Sequence, residues 1–161
     1  MALANRHRPT ALLLSRQNLP YCPRTEADVI TQGAYVVAEP GEVGLTKKAQ
    51  AVIIATGSEV QLALHAQALL AQDKIAVRVV SMPSTTVFDR QSESVKRHVL
   101  PEGLPRIAVE AGVSAGWWKY GVAAVVGVDT YGESAPANEV FAHFGLTPEN
   151  VANTVKVVLG R

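Results

Sequence analysis

Short apolar runs alternate with helical periodicity along most of the chain. Ala51–Ala55 (Ala-Val-Ile-Ile-Ala) is apolar at every position, the pattern of a strand covered on both faces of a parallel sheet. Thr56-Gly57-Ser58 then turns the chain into a predicted helix over Glu59–Gln72. Leu62, Ala66, Leu69 and Leu70 share one face of that helix. Asp73-Lys74 ends it, and Val77–Val80 is a second buried strand. The three pieces form one βαβ unit, whose crossover is expected to be right-handed.

Further strands are predicted at Gly33–Ala38, an edge strand closed by Pro40-Gly41, at Arg106–Val109 and at Ala123–Val126. A polar helix is expected around Ser92–His98, stopped by Pro101, and a short helix over Trp117–Val122. Ser134 reads as the N-cap of a helix with Pro136 in its first turn, ending at Phe144-Gly145. Thr147 caps a last helix with Pro148 at its first position and Val151, Val155 and Val158 as its apolar stripe. Near the N-terminus, Thr10–Ser15 reads as a short buried strand because Leu12, Leu13 and Leu14 are consecutive. The run Asn18-Leu19-Pro20-Tyr21-Cys22-Pro23 after it is a loop, since proline cannot continue a ladder. A domain boundary is placed within residues 17–31. The whole pattern specifies an α/β fold, a three-layer sandwich around a mostly parallel five-stranded sheet. Ligands of such sheets sit beyond the carboxyl ends of the strands.

Composition narrows the function classes. The chain has 161 residues, 48% apolar and 18% charged, enough for one buried core. A formal net charge of +1 creates no field to attract nucleic acid or an acidic membrane surface. Cys22 is the only cysteine, so neither a disulfide framework nor a cysteine metal cluster is available. With no stretch long enough for a membrane span and no apolar signal core at the start, a cytoplasmic protein is expected.

Few residues carry recognisable chemistry. Ser15-Arg16-Gln17-Asn18 puts an arginine at a strand end, where its fork of N–H donors matches phosphate or carboxylate. Gly57 and Ser58 stand at a helix start, a candidate anion site. The competing reading is a plain cap by Ser58 or Thr56, with Glu59 complementing the helix dipole. No dinucleotide or P-loop glycine pattern occurs. His7, His65, His98 and His143 lie in no metal-ligand spacing and are expected to be structural or solvated. Trp117-Trp118-Lys119-Tyr120 points to core packing or a protein interface. Gly132-Glu133-Ser134 is not a nucleophile elbow, because Pro136 replaces the second glycine. Glu110, at the end of the strand Ile107-Ala108-Val109, has no partner visible in the sequence.

Five blocks in order resemble the C-terminal third of bacterial-type transketolases: Thr10–Leu19, Ile54–Val60, Val79–Ser84 with Phe88-Asp89, Val109–Gly112, and Tyr131–Ala137. The resemblance implies that residues 1–31 are the end of a pyrimidine-binding domain and a linker, and that residues 32–161 are the C-terminal domain. It implies a parent enzyme of the pentose phosphate pathway that moves a two-carbon ketol unit between sugar phosphates. Thiamine diphosphate and a divalent metal serve that enzyme, a homodimer. The family's metal and diphosphate motif, its activating glutamate and its active-site histidines have no counterpart here. The fragment is therefore expected to bind no cofactor, to be inactive alone, and to partner the remainder of the chain or a separate N-terminal subunit. Arg16 matches the family's contact to substrate phosphate, and no catalytic residue carries over. The pyruvate dehydrogenase β-type subunits and deoxyxylulose-phosphate synthase share the domain, but the S-R-Q-N and G-E-S-A-P-A blocks favour transketolase. The alternative function is a self-standing anion- or nucleotide-binding regulatory module using Gly57 and Ser58.

Overall fold

The computed structural model describes residues 5–22, 28–41 and 48–161. Of the expected linker over 17–31, residues 23–27 lie outside the described residues. The strands are β1 (Tyr35–Ala38), β2 (Ala51–Ala55), β3 (Val77–Ser81), β4 (Arg106–Val109) and β5 (Ala124–Val126). The helices are α1 (Glu59–Gln72), α2 (Thr85–Phe88), α3 (Glu93–Val99), α4 (Ala137–His143) and α5 (Pro148–Val158). Two 3-10 segments, Asp28–Gln32 and Ser114–Tyr120, complete the set.

The sheet runs in the order β1-β3-β2-β4-β5. β2, β3, β4 and β5 are parallel, and β1 pairs antiparallel with β3 at one edge. β2 is the middle strand, and all five of its residues have 0% exposure. Its alternate residues serve two cores. Ala51, Ile53 and Ala55 meet the apolar faces of α1 and α5, including Val60, Ala63, Leu70, Val151 and Val155. Val52 and Ile54 meet Phe88, Val99, Leu100, Trp117 and Tyr120 on the other side. This is the three-layer α/β sandwich with a mostly parallel five-stranded sheet that the apolar pattern specifies.

Local chemistry explains most element boundaries. Thr147 and Ser92 accept hydrogen bonds from the backbone N–H groups of Asn150 and Val95, at 3.2 and 3.4 Å, and start α5 and α3. Ser84 does the same for α2, a helix the sequence reading did not include, through Val87 at 3.3 Å. Gly33 has φ +84°, and a Cβ there would stand 2.5 Å from the Phe88 nitrogen. Only glycine lets the chain pass this close to α2 on its way into β1.

Several expectations are corrected. Thr10–Ser15 forms no strand: Leu12, Leu13 and Leu14 are 72%, 92% and 86% exposed. The segment takes no place in the β1–β5 sheet, whose strands all lie between Tyr35 and Val126. Ser58 makes no side-chain cap bond, because its backbone is already helical at φ −67° and ψ −28°. A capping serine needs extended backbone to turn its hydroxyl onto the free N–H groups. Ser134 does not cap α4, which begins after Pro136. Proline disfavours helical geometry at the residue before it, so Ala135 cannot enter the helix. The buried face of α1 centres on Val60, Ala63, Ala66 and Leu70, while Leu62 and Leu69 are only partly covered. The expected helix at Trp117–Val122 is the 3-10 segment Ser114–Tyr120.

A polar clamp fastens that 3-10 segment to α2. Asp89 accepts from Lys119 Nζ and from Tyr120 Oη, both at 2.7 Å. The Lys119 hydrogen bond is the larger cause that holds the Asp89 carboxyl below the usual range. Burial, and then the bond to Asp89, push the Tyr120 hydroxyl up to about 12. A carboxyl depressed on folding stabilises above its unfolded pKa and loses that contribution as pH falls through its folded one. Asp89 is exposed, so solvent screening holds the effect to about 1 kcal/mol. Asp89→Asn is expected to lower the melting temperature at pH 7 by about 2–4 °C. The gap from the unsubstituted chain should close as pH falls below the carboxylate range, in thermal melts across pH. A gap that stays constant with pH would assign the loss to packing instead.

Candidate functional site

Connections from β2 diverge at the middle of the sheet. The chain leaves β2 through α1 to β3 on one side, and β4 lies on the other. The crevice beyond the carboxyl ends of β2 and β4 is thus a topological switch point, where open α/β sheets place ligands. Thr56-Gly57-Ser58-Glu59 follows β2 there, and Glu110-Ala111-Gly112 follows β4.

Gly57 has φ +56° and bends the chain sharply from strand to helix. A Cβ on Gly57 would stand 3.6 Å from Ser15 Oγ and 3.7 Å from Glu59 Oε2. Ser15 therefore lies beside this crevice, although its segment forms no strand. Arg16 itself is exposed and makes no hydrogen bond or ion pair with a described residue.

Glu59 is the buried acid of the crevice, 4% exposed, and its Oε1 accepts from Ser58 Oγ at 2.6 Å. The Ser58 hydroxyl thus serves a carboxylate that is already present at the helix start. Glu110, half-buried just after the neighbouring strand β4, has its pKa raised, first by burial and then by the Glu59 carboxylate. Its backbone N–H donates to the Val126 carbonyl at 3.1 Å. The Gly112 carbonyl accepts from Val128 N–H at 2.8 Å, and Asp129 accepts from Ser114 N–H, also at 2.8 Å. These bonds fix the loop after β4 against the loop after β5. The Ser114 backbone bond holds the Asp129 carboxyl below its usual range.

The crevice presents two carboxylates, which repel rather than attract a phosphate at Gly57 and Ser58. The pairing of Glu59 with Glu110 is absent from the sequence reading. The signal available was the strand order, which brings residues after β2 and β4 together.

The other candidates separate. His7, His65, His98 and His143 are all exposed, and His143 stacks edge-on to Phe144 at 4.9 Å between ring centroids. Among the described residues no three His, Cys, Asp or Glu side chains gather as metal ligands. Trp117 and Tyr120 are core residues with ring centroids 6.0 Å apart, whereas Trp118 is exposed.

Known proteins resolve the affiliation. Residues 33–147 match the family model described as the transketolase-like TK C-terminal domain. The chain is 44% identical to transketolase 1 of Aliivibrio fischeri, over 99% of its own length and 24% of that protein's. It is 45% identical to transketolase 2 of Escherichia coli, again over 99% of its own length and 24% of the relative's. Among solved structures, a Pichia stipitis transketolase in complex with sedoheptulose 7-phosphate superposes with a TM-score of 0.78. It is 39% identical over 86% of this chain and 20% of that one. The chain thus spans about a quarter of the length of the curated relatives it matches. With this match laid over the five-stranded sheet, the chain belongs to the transketolase-like C-terminal domain family.

Proposed function

We propose that the chain is the C-terminal portion of a transketolase, the enzyme that transfers two-carbon ketol units between sugar phosphates with thiamine diphosphate. The observation that carries this reading is the match over 99% of the chain to transketolases of which it makes up 24%. Residues 1–31 then close the pyrimidine-binding domain and its linker, and residues 32–161 form the C-terminal domain. The remainder of the enzyme, in the same chain or as a separate subunit, is the partner, and the working assembly is a cytoplasmic homodimer. Among the described residues, no helix is long and apolar enough to cross a membrane.

The described residues do not fit the cofactor. A doubly charged diphosphate needs a metal and its ligands, and no group of three suitable side chains is present among them. The crevice at the strand ends offers it the carboxylates of Glu59 and Glu110. The same acids favour the assembly reading over a nucleotide-binding module at Gly57 and Ser58. The role left to this portion is to stabilise the assembly and to supply Arg16 as a contact to substrate phosphate. The exposed guanidinium of Arg16, without a partner among the described residues and next in sequence to Ser15 at the crevice, is consistent with that role.

Two measurements test the proposal. Calorimetric titration of the 161-residue chain with thiamine diphosphate and magnesium is expected to show no binding. A micromolar, metal-dependent affinity would refute the idea that the cofactor site lies elsewhere. In the complete enzyme, Arg16→Ala should reduce kcat/KM for phosphorylated substrates roughly tenfold to hundredfold. That is the effect of losing a charge-assisted hydrogen bond of about 1.5–3 kcal/mol. Unphosphorylated substrates should be nearly unaffected. Equal losses with both substrate kinds would make Arg16 structural.

A further inference from the structure

Glu110 is an unresolved electrostatic problem in the domain. It is half-buried, and its carboxylate makes no hydrogen bond or ion pair with a described residue. Its close charged neighbour, Glu59, has the same sign. Lys119 lines the same cleft, but its ammonium is held by Asp89 at 2.7 Å. A carboxylate withdrawn from water without a cation is costly, and such groups are ordinarily paired.

The surroundings of Glu110 are shaped to admit something. Thr85, Gly112, Val113, Gly116, Trp117 and Lys119 complete a cleft of about 320 Å³ beside it. Two of these residues are glycines, and a Cβ on Gly116 would meet nothing within 4 Å. Val113, in the lining, is apolar and 65% exposed. The bond from Ser114 N–H to Asp129 draws their two loops to one side of the domain. Every residue from Asp129 to Glu139 is exposed.

The occupant follows from charge and continuity. Ser15 sits against Gly57, so the N-terminal segment reaches the same end of the sheet as Glu110. The relatives' chains extend well beyond the quarter that this chain matches. We propose that the cleft at Glu110 is a docking socket for the rest of the transketolase, and that Glu110 receives a lysine or arginine side chain from it. Val113 supplies the apolar rim that excludes water around that ion pair, as residues surrounding an interface anchor do. This rests on the reading of the chain as a transketolase portion.

The test grafts this chain in place of the matching quarter of Escherichia coli transketolase 2 and compares the graft with the 161-residue chain alone. The unsubstituted graft is expected to assemble and to be active. Glu110→Gln should lower the melting temperature of the graft by several degrees. In the chain alone it should leave that temperature unchanged or raise it, because there it only removes a half-buried charge without a partner among the described residues. Glu110→Asp, which keeps the charge, should recover part of the loss in the graft. Val113→Asp should weaken the graft and spare the chain. Equal effects on graft and chain, or none on the graft, would overturn the docking role. So would a change in self-association of the chain alone on sedimentation, which would make a second copy the occupant. A rise in the chain's melting temperature with magnesium or calcium that Glu110→Gln abolishes would make the cleft a metal site and also overturn it. An unsubstituted graft that fails to assemble would remove the transketolase reading itself, and the socket with it.

Discussion

Two-sided burial of β2 is the constraint on which the structure depends. Its five residues have no exposed surface, and burying each large aliphatic side chain contributes about 1.5–3 kcal/mol. A strand with no polar face must be covered above and below. The crossover through α1, joined by α5, supplies one cover. α2, α3 and the Ser114–Tyr120 segment supply the other. Once β2 is central and β3 and β4 flank it, the residues that follow β2 and β4 must share one crevice. The meeting of Glu59 and Glu110 is a consequence of that order.

The two ends of the sheet are finished differently. At the amino ends, arginines close the structure. Arg106 donates to the carbonyls of Tyr120, Leu100 and Pro101, and Arg78 to those of His98 and Val99 while pairing with Glu39. These guanidiniums satisfy carbonyls at the end of α3, just after it and at the end of the 3-10 segment, where no further helical turn can bond them. Arg106 Nε is the one buried side-chain polar atom without a partner among the described residues. At the carboxyl ends, the Glu110 carboxylate has no partner among the described residues and Val113 is exposed. An end completed within the domain contributes stability. The carboxyl end is where the proposed socket lies.

Much of this was legible in the sequence wherever periodicity and local capping decide the outcome. The bounds of α1 and the start of α5 follow from apolar spacing and from Thr147-Pro148. Edge placement of β1 follows from its proline-glycine ending. Misreadings occur where a residue's role depends on geometry outside its own few neighbours. Ser58 is a good capping residue by type, but its backbone is helical and its hydroxyl goes to Glu59. Ser134 looked like a cap, but Pro136 delays the helix beyond it. Leu12–Leu14 has the apolarity of a strand and takes no place in the β1–β5 sheet. The clamp of Asp89 with Lys119 and Tyr120 joins residues about thirty positions apart, beyond the reach of any local pattern. Of the candidate site, Gly57, Ser58 and Arg16 were visible as types at a strand end, whereas the acid pair required the strand order.

The central claim is that the sheet is complete in itself without the leucine segment. Hydrogen exchange on the 161-residue chain measures both at once. Amides of Val52–Ala55, bonded to β3 and β4 and shielded on both faces, should exchange only through global unfolding. Amides of Leu12–Leu14 should exchange near the rate of an unstructured chain. Early exchange in β2, or protection of Leu12–Leu14 equal to that of β2, would contradict the account.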